Sequence, residues 1–149
     1  MSKLEVEMIT PEKVALRASA DFVVLPATKG ELGVLPGHAP FLVELKAGEV
    51  RVTAEGALKS FAIAGGFAEI QRDKVAVFAE TADLAEEIDA EATRQALEKA
   101  KAQSQRSDLD PLSLKQAEAA IRAAQVRLRV AELKTRRGHR PSGPQGHGS

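Results

Sequence analysis

The hydrophobic period of the sequence changes at about Asp83. Before it, apolar and polar side chains alternate, as at Leu4, Val6 and Met8, between regularly spaced turn signals. Many short strands at this spacing predict an antiparallel sandwich or flattened barrel, and the residues after Asp83 are strong helix formers. The predicted α+β chain has a β-sandwich domain over 1–83, a two-helix domain over 84–137 and a disordered Gly/Pro/Ser-rich tail over 138–149.

An eleven-residue motif, Gly30 to Pro40, stands out within the β domain. It holds three glycines and two prolines around the apolar residues Leu32, Val34 and Leu35. Glycine permits positive φ angles and proline fixes φ near −65°, so the motif predicts a short strand held between two shaped turns. The continuous apolar run at 22–25 predicts a preceding strand that is buried on both faces.

Two helices are predicted after residue 83. Asp83 and Asp89 are both plausible N-caps for the first helix, and the polar stretch at 103–108 ends it. The pair Asp110-Pro111 predicts the start of a second helix, which should run to Arg137 and stop at Gly138.

Apolar spacing suggests how these helices pack. A seam on the second helix predicts an antiparallel hairpin, and a second apolar face predicts docking on the sandwich or on another protein. Alanine buries little area, so the hairpin should be marginal alone. The seam comprises Leu114, Ala117, Ile121, Ala124, Leu128 and Ala131 against Leu84, Ile88, Ala92, Ala96 and Ala100; the second face comprises Ala119, Ala123, Val126, Val130 and Leu133.

Charge is balanced overall but unevenly distributed. The whole chain has 21 basic and 21 acidic residues, yet 111–137 contains seven basic and two acidic residues. Its cations form stripes at Arg122, Arg129 and Arg136 and at Arg127 and Lys134. Such stripes are either a solvated face or a contact for an acidic partner.

The sequence has little that supports catalysis. Cysteine is absent, which excludes thiol chemistry, and His38 is the only histidine before the tail. Glu31 and His38 share a motif, but no nucleophile or orienting residue accompanies them, so catalysis is not predicted. No apolar run approaches the roughly 18 residues of a membrane span, and the start lacks a signal-peptide pattern.

The motif Gly30-Glu-Leu-Gly-Val-Leu-Pro-Gly-His-Ala-Pro40 closely resembles the signature of the epsilon subunit of F-type ATP synthases, called delta in mitochondria. Ala64-Gly-Gly-Phe67, Ala79-Glu-Thr-Ala82 and Arg127-Leu-Arg-Val-Ala-Glu-Leu133 also resemble that family. The similarity covers about residues 3 to 137. It implies a ten-stranded β-sandwich followed by a two-helix hairpin.

The resemblance implies a non-catalytic subunit in the central stalk of a proton-translocating ATP synthase. It would bind the γ subunit and rest on the c ring, at the cytoplasmic face of the bacterial inner membrane. The helices would reach the α/β hexamer and hinder ATP hydrolysis through an acidic β segment. The implied c-ring contacts are Glu31, Leu32, Gly33, Pro36, Gly37 and His38; those with the acidic segment are Arg122, Arg127, Arg129, Lys134 and Arg136.

The resemblance also raises the question of ATP binding. Some members bind ATP through an Ile/Leu-Asp-x-x-Arg-Ala motif, whereas this chain has Ile88-Asp-Ala-Glu-Ala92-Thr93. Ala92 replaces the arginine, and Arg94 lies about 200° further round a helix. No cofactor is therefore expected.

A free-standing adaptor whose basic helix binds RNA or an acidic protein is the alternative function. Zero net charge and the lack of aromatic residues among the cations oppose nucleic-acid binding. The predicted partners are accordingly proteins.

Overall fold

The computed structural model describes residues 2–138. Ten strands are followed by a 3₁₀ turn at Ala85–Glu87 and by helices α1 Ala90–Ser104 and α2 Pro111–Gly138, which confirms the α+β class. Residues 139–149 of the predicted tail lie outside the described residues. The strands are β1 Leu4–Ile9, β2 Val14–Ala20, β3 Phe22–Ala27, β4 Gly30–Val34, β5 Phe41–Leu45, β6 Gly48–Ala54, β7 Ala57–Ile63, β8 Gly66–Ile70, β9 Lys74–Ala79 and β10 Ala82–Leu84.

The strands form one hydrogen-bonded path that folds over into a sandwich. Its order is β10-β7-β6-β3-β5-β8-β9-β1-β2, with β4 paired to β3 as a side branch. Neighbouring strands are antiparallel except β1 and β9, which are parallel. The chain reaches β9 after most of the sandwich rather than through a hairpin, so no tight turn fixes its direction relative to β1.

One apolar core fills the sandwich. Its side chains come from inward-facing positions of alternating strands, as in β1 and β6. β3 is buried on both faces, as predicted: Val23 and Leu25 enter the core, while Pro26 lines a cleft beside α2. The largest fully buried side chains of the core are Leu4, Met8, Leu25, Ile63, Ile70, Val23, Val34, Val50, Val52, Val75 and Val77.

The helix α1 begins later than its first candidate cap. Asp89 is the N-cap and accepts a 3.0 Å hydrogen bond from the Ala92 amide, whereas Asp83 lies in β10. The buried face of α1 contains Thr93, Leu97 and Ala100.

The predicted seam of the first helix was wrong at Ala92 and Ala96, whereas Ala100 is buried and Ile88 packs with Val130 and Ala131 of α2. Leu84 lies in β10 and Ile88 precedes α1, while Ala92 and Ala96 are exposed. A spacing of four residues also drifts about 40° per step around a helix. The last strand, β10, continues to Leu84, one residue past the predicted end of the β domain at 83.

The helix α2 packs on the sandwich through its second apolar face. Asp110 caps it by accepting a 2.7 Å hydrogen bond from the Ser113 amide. Val130 is buried beside Ala62 of β7, Ala85 of the 3₁₀ turn and Ile88 after it, so the C-terminal part of this face covers the sandwich, while Ala119 is exposed. The complete second cluster is Ala62, Ala85, Ile88 and Val130, with Val126 and Ala131 packed against it.

Candidate functional site

The Gly30–Pro40 segment consists of β4 and the turn that follows it. β4 pairs with β3 along its whole length. Gly30 and Gly37 have φ angles of 129° and 88°, which side-chain-bearing residues rarely adopt. The Gly37 amide donates a 2.6 Å hydrogen bond to the Arg72 carbonyl, which ties the turn to the β8–β9 connection. The predicted strand between shaped turns is confirmed.

The six implied c-ring residues differ in exposure. The Glu31 side chain is 63% exposed, and the backbone at Gly33 and Gly37 is also exposed. Leu32 instead packs partly against the main core, because side chains alternate along β4. Of the six implied contacts, Glu31, Gly33 and Gly37 are therefore exposed, and Pro36 and His38 are half-buried.

Glu31 and His38 do not form an acid/base pair. The Glu31 carboxylate accepts a 2.7 Å hydrogen bond from Arg51, while His38 Nδ1 lies 3.0 Å from the carbonyl oxygen of Ala39. Among residues 2–138, no three or more His, Asp or Glu side chains are arranged to hold a metal ion.

An open apolar cleft of about 770 Å³ lies beside the ends of β5, β8 and β9. Phe67 is 48% exposed there, and its ring stacks on Phe78 at a centroid distance of 5.2 Å. A Cβ added to Gly66 would lie 2.0 Å from the Phe78 carbonyl oxygen, so this close strand approach requires glycine. In the sequence, the signal for this surface is the glycine pair before an aromatic residue at 64–67, a motif that carries the family resemblance but predicts no contact.

Two of the five predicted regulatory cations are paired within the chain. Lys134 Nζ lies 3.0 Å from Glu86, and Arg127 Nε lies 3.4 Å from Asp83 without forming a hydrogen bond. Asp83 lies in β10 and Glu86 in the 3₁₀ turn that follows it. These two ion pairs therefore help to hold α2 beside the sandwich. The three remaining predicted contacts, Arg122, Arg129 and Arg136, are exposed.

A group of polar side chains at the end of α2 was missed by the sequence analysis. Glu49 of β6 accepts hydrogen bonds from Arg137 at 2.8 and 3.2 Å, from Arg51 at 3.1 Å and from Ser60. Arg51 also donates to Glu31. We call Glu31, Glu49, Ser60, Arg51 and Arg137 the Glu49 ion network. Glu49 and Arg137 are 88 residues apart, so no local pattern predicts their contact.

The Glu49 ion network also shifts the pKa of its central acid. Burial raises the pKa of Glu49, but hydrogen bonds from Arg137, Ser60 and Arg51 outweigh that effect and hold the pKa below its ordinary value. Glu49 is therefore charged at neutral pH and balanced by two guanidinium groups.

The first turn of α1 lacks the arginine of the ATP-binding motif. Ala92 is exposed, and its amide is bonded to the Asp89 cap. Arg94 Nη1 is 3.4 Å from Glu91, and its Nη2 is 3.9 Å from Glu132 of α2. Arg94 is the nearest arginine that could replace the one in the motif, and its guanidinium already lies beside these two acids.

Comparison with known proteins identifies the family. Residues 3–85 match the family model described as the ATP synthase delta/epsilon chain β-sandwich domain, which is more than half of the 149 residues. The chain belongs to the ATP synthase delta/epsilon family. The epsilon chain of Geotalea daltonii is 40% identical over 135 residues, covering 91% of this chain and 98% of that relative. The epsilon chain of Moorella thermoacetica is 45% identical over 132 residues, covering 88% and 98%.

A solved ATP synthase structure contains a chain of similar fold. A chain of the Euglena gracilis mitochondrial ATP synthase, in a structure of its OSCP, F1 and c-ring parts, has a TM-score of 0.75 at 28% identity. The match covers 89% of this chain and 82% of that chain. Within residues 2–138, no helix combines the length and apolar character needed to cross a membrane.

Proposed function

We propose that this delta/epsilon-family chain is a non-catalytic subunit in the central stalk of a proton-translocating ATP synthase. The observation that carries the proposal is that one rigid sandwich displays two separate contact surfaces, the Gly30–Pro40 segment and the Phe67 cleft. A stalk subunit needs such surfaces because it transmits force between partners rather than performing chemistry. Family membership supports the same role.

The Gly30–Pro40 segment is the proposed contact with the c ring. Its backbone is fixed by β3 pairing and by the Gly37 to Arg72 hydrogen bond, so the surface resists bending. Exposed Glu31 supplies a charge for polar loops, and Gly37, where nothing lies within 4 Å of an added Cβ, lets another backbone approach closely. Leu32 has a supporting rather than a contacting role in this proposal.

The Phe67 cleft is the proposed contact with the γ subunit. Its lining is mainly apolar and includes Ile9, Pro11, Phe67 and Phe78. Exposed contiguous apolar surface is typical of protein interfaces. A tightly associated stalk partner would bury this surface throughout rotation.

The two-helix domain is the proposed regulatory part of the subunit. In this structure it is docked on the sandwich, with Arg127 and Lys134 paired to Asp83 and Glu86. Exposed Arg122, Arg129 and Arg136 are available to an acidic segment of the catalytic hexamer without undocking. Arg127 and Lys134 would first have to exchange their intramolecular partners.

ATP binding through the family motif is not part of the proposed function. Ala92 has no guanidinium for phosphate recognition, and Arg94 lies beside Glu91 and Glu132. The location proposed from family membership is peripheral, at the cytoplasmic face of a bacterial inner membrane. A free-standing RNA-binding adaptor is not favoured, since the chain belongs to an ATP synthase family and carries no net charge.

The test is assembly and activity of the complex with full-length chain and with a chain ending after Leu84. Both should copurify with the γ and catalytic subunits, because the shorter chain keeps β10 and both surfaces. The shorter chain should give higher ATP hydrolysis. Failure of the full-length chain to copurify would refute the stalk role, whereas unchanged hydrolysis would refute only the regulatory role of the helices.

A further inference from the structure

The Glu49 ion network connects an exposed surface to the last turn of α2. Arg51 Nη1 donates to Glu31 at 2.7 Å and to Glu49 at 3.1 Å, so one guanidinium nitrogen bridges two carboxylates. Glu49 also receives the paired hydrogen bonds from Arg137. The charges therefore alternate along a continuous path from β4 through β6 to α2.

The two ends of this path differ in accessibility. The Glu31 side chain is 63% exposed, whereas that of Glu49 is 10% exposed. A partner can reach Glu31 directly, but Glu49 is covered by Arg137 and by the neighbouring strands. Solvent screens charge interactions less at the covered Glu49 than at the surface. A change of charge at Glu31 therefore alters the electrostatic energy at Glu49.

Removing the charge of Glu31 weakens the hold on Arg137 through the shared Arg51 guanidinium. Arg51 loses one carboxylate and turns fully to Glu49, where it competes with Arg137 for the same oxygens. An incoming cation at Glu31 acts in the same direction, because it displaces and repels Arg51.

We propose that the Glu49 ion network transmits the charge state of Glu31 to the docking of α2, so that a cationic partner group bound at Glu31 loosens the end of α2 from the sandwich. The coupling is a property of this chain alone. Its use as a signal from the c ring to the helices rests on the proposed function.

The coupling can be measured in the isolated full chain. The sequence contains no cysteine, so Glu12→Cys on the sandwich and Gln125→Cys on α2, both exposed positions, can be labelled selectively. Electron-spin distance measurements then give the ratio of undocked to docked molecules. Arg137→Gln should raise that ratio about tenfold, because it leaves a half-buried carboxylate short of a partner.

Glu31→Gln should raise the undocked to docked ratio about threefold. The same substitution made together with Arg51→Gln should leave the ratio at the value of Arg51→Gln alone, because the connecting guanidinium is gone. Glu44→Gln, at an exposed acid of β5 outside the network, is the matched control and should have no effect.

The proposal is overturned if Glu31→Gln leaves the ratio unchanged, if its effect is equal with and without Arg51, or if Glu44→Gln reproduces it. An unresponsive Arg137→Gln chain would also overturn it, because the network would then not hold α2. None of these outcomes involves other subunits, so each leaves the proposed stalk role intact.

Discussion

Gly66 has less room for a side chain than the other positive-φ glycines. Its φ is 148°, and an added Cβ would lie 2.0 Å from the Phe78 carbonyl oxygen. Gly30 is a matched comparison, with φ of 129° and nothing within 4 Å of an added Cβ. The two positions separate backbone strain from steric overlap.

We expect Gly66→Ala to lower the free energy of unfolding by about 3 kcal/mol or more, and Gly30→Ala by about 1 kcal/mol. Only the first substitution forces β8 and β9 apart. Urea unfolding followed by circular dichroism measures both. Equal losses would show that strain, rather than the approach of β9, determines the cost.

Glu49 should make helix docking sensitive to acid. Its pKa is lowered in the folded protein, so its stabilising contribution is present above the ordinary carboxyl value of about 4.3 and is lost as pH falls through the lowered value. The undocked fraction should therefore rise as the pH falls below that ordinary value. The groups that face Glu49 or share its cleft are Arg51, Ser60 and Arg137, with Glu31, Lys46 and Arg129.

The pH experiment compares the doubly labelled chain with the same chain carrying Glu49→Gln. Other carboxylates titrate in both proteins, so only the difference between the two curves reports Glu49. The Gln variant should be more undocked at pH 7 and should change less on acidification. Parallel curves would contradict the assignment.

Each helix buries one large apolar side chain in a different setting. Val130 is 1% exposed and fits against Ala62 of the sandwich, whereas Leu97 of α1, 8% exposed, is the only large apolar side chain buried in α1. A substitution at Val130 should therefore affect docking of α2 on the sandwich, and a substitution at Leu97 should affect the helical hairpin.

We expect Val130→Ala to weaken docking by about 2 kcal/mol while leaving helix content nearly unchanged. Leu97→Ala should instead reduce helix content, because the alanine-rich hairpin has little other apolar area to bury. Spin-label distances report docking and the 222 nm ellipticity reports helix. Val14→Ala, at a 46% exposed site, is the control. Loss of helix in Val130→Ala would show that docking and hairpin formation are one event.

The molecule has two separate apolar clusters, which indicates that the sandwich and the helical domain differ in how far each can fold alone. The main core lies within the sandwich, and the helix–sandwich interface is the smaller cluster around Val130. The chain ending after Leu84 should keep a single cooperative unfolding transition. We expect its midpoint temperature to fall by less than about 10 °C relative to the full chain. A broad transition without a clear midpoint would show that the sandwich needs the helices.

Much of this architecture was predictable because its signals are local. Alternation with period two indicated the strands, and Asp110-Pro111 indicated the start of α2. The first helix was less predictable, since Asp83 and Asp89 both suit a cap. The choice depended on Asp83 joining β10 beside β7, a contact with residues far back in the chain.

The proposed contact surfaces likewise include features set by local sequence and features set by distant contacts. Glycine and proline spacing determined the shape of the Gly30–Pro40 segment, because backbone conformation there follows from residue type. By itself the sequence thus determined the two-part layout and this segment. Only the tertiary structure decided that Leu32 packs inward, that Arg127 and Lys134 are paired within the chain, and that Glu49 meets Arg137. Those outcomes depend on which distant side chains come into contact, and charge pairing between distant elements has no signature in local spacing.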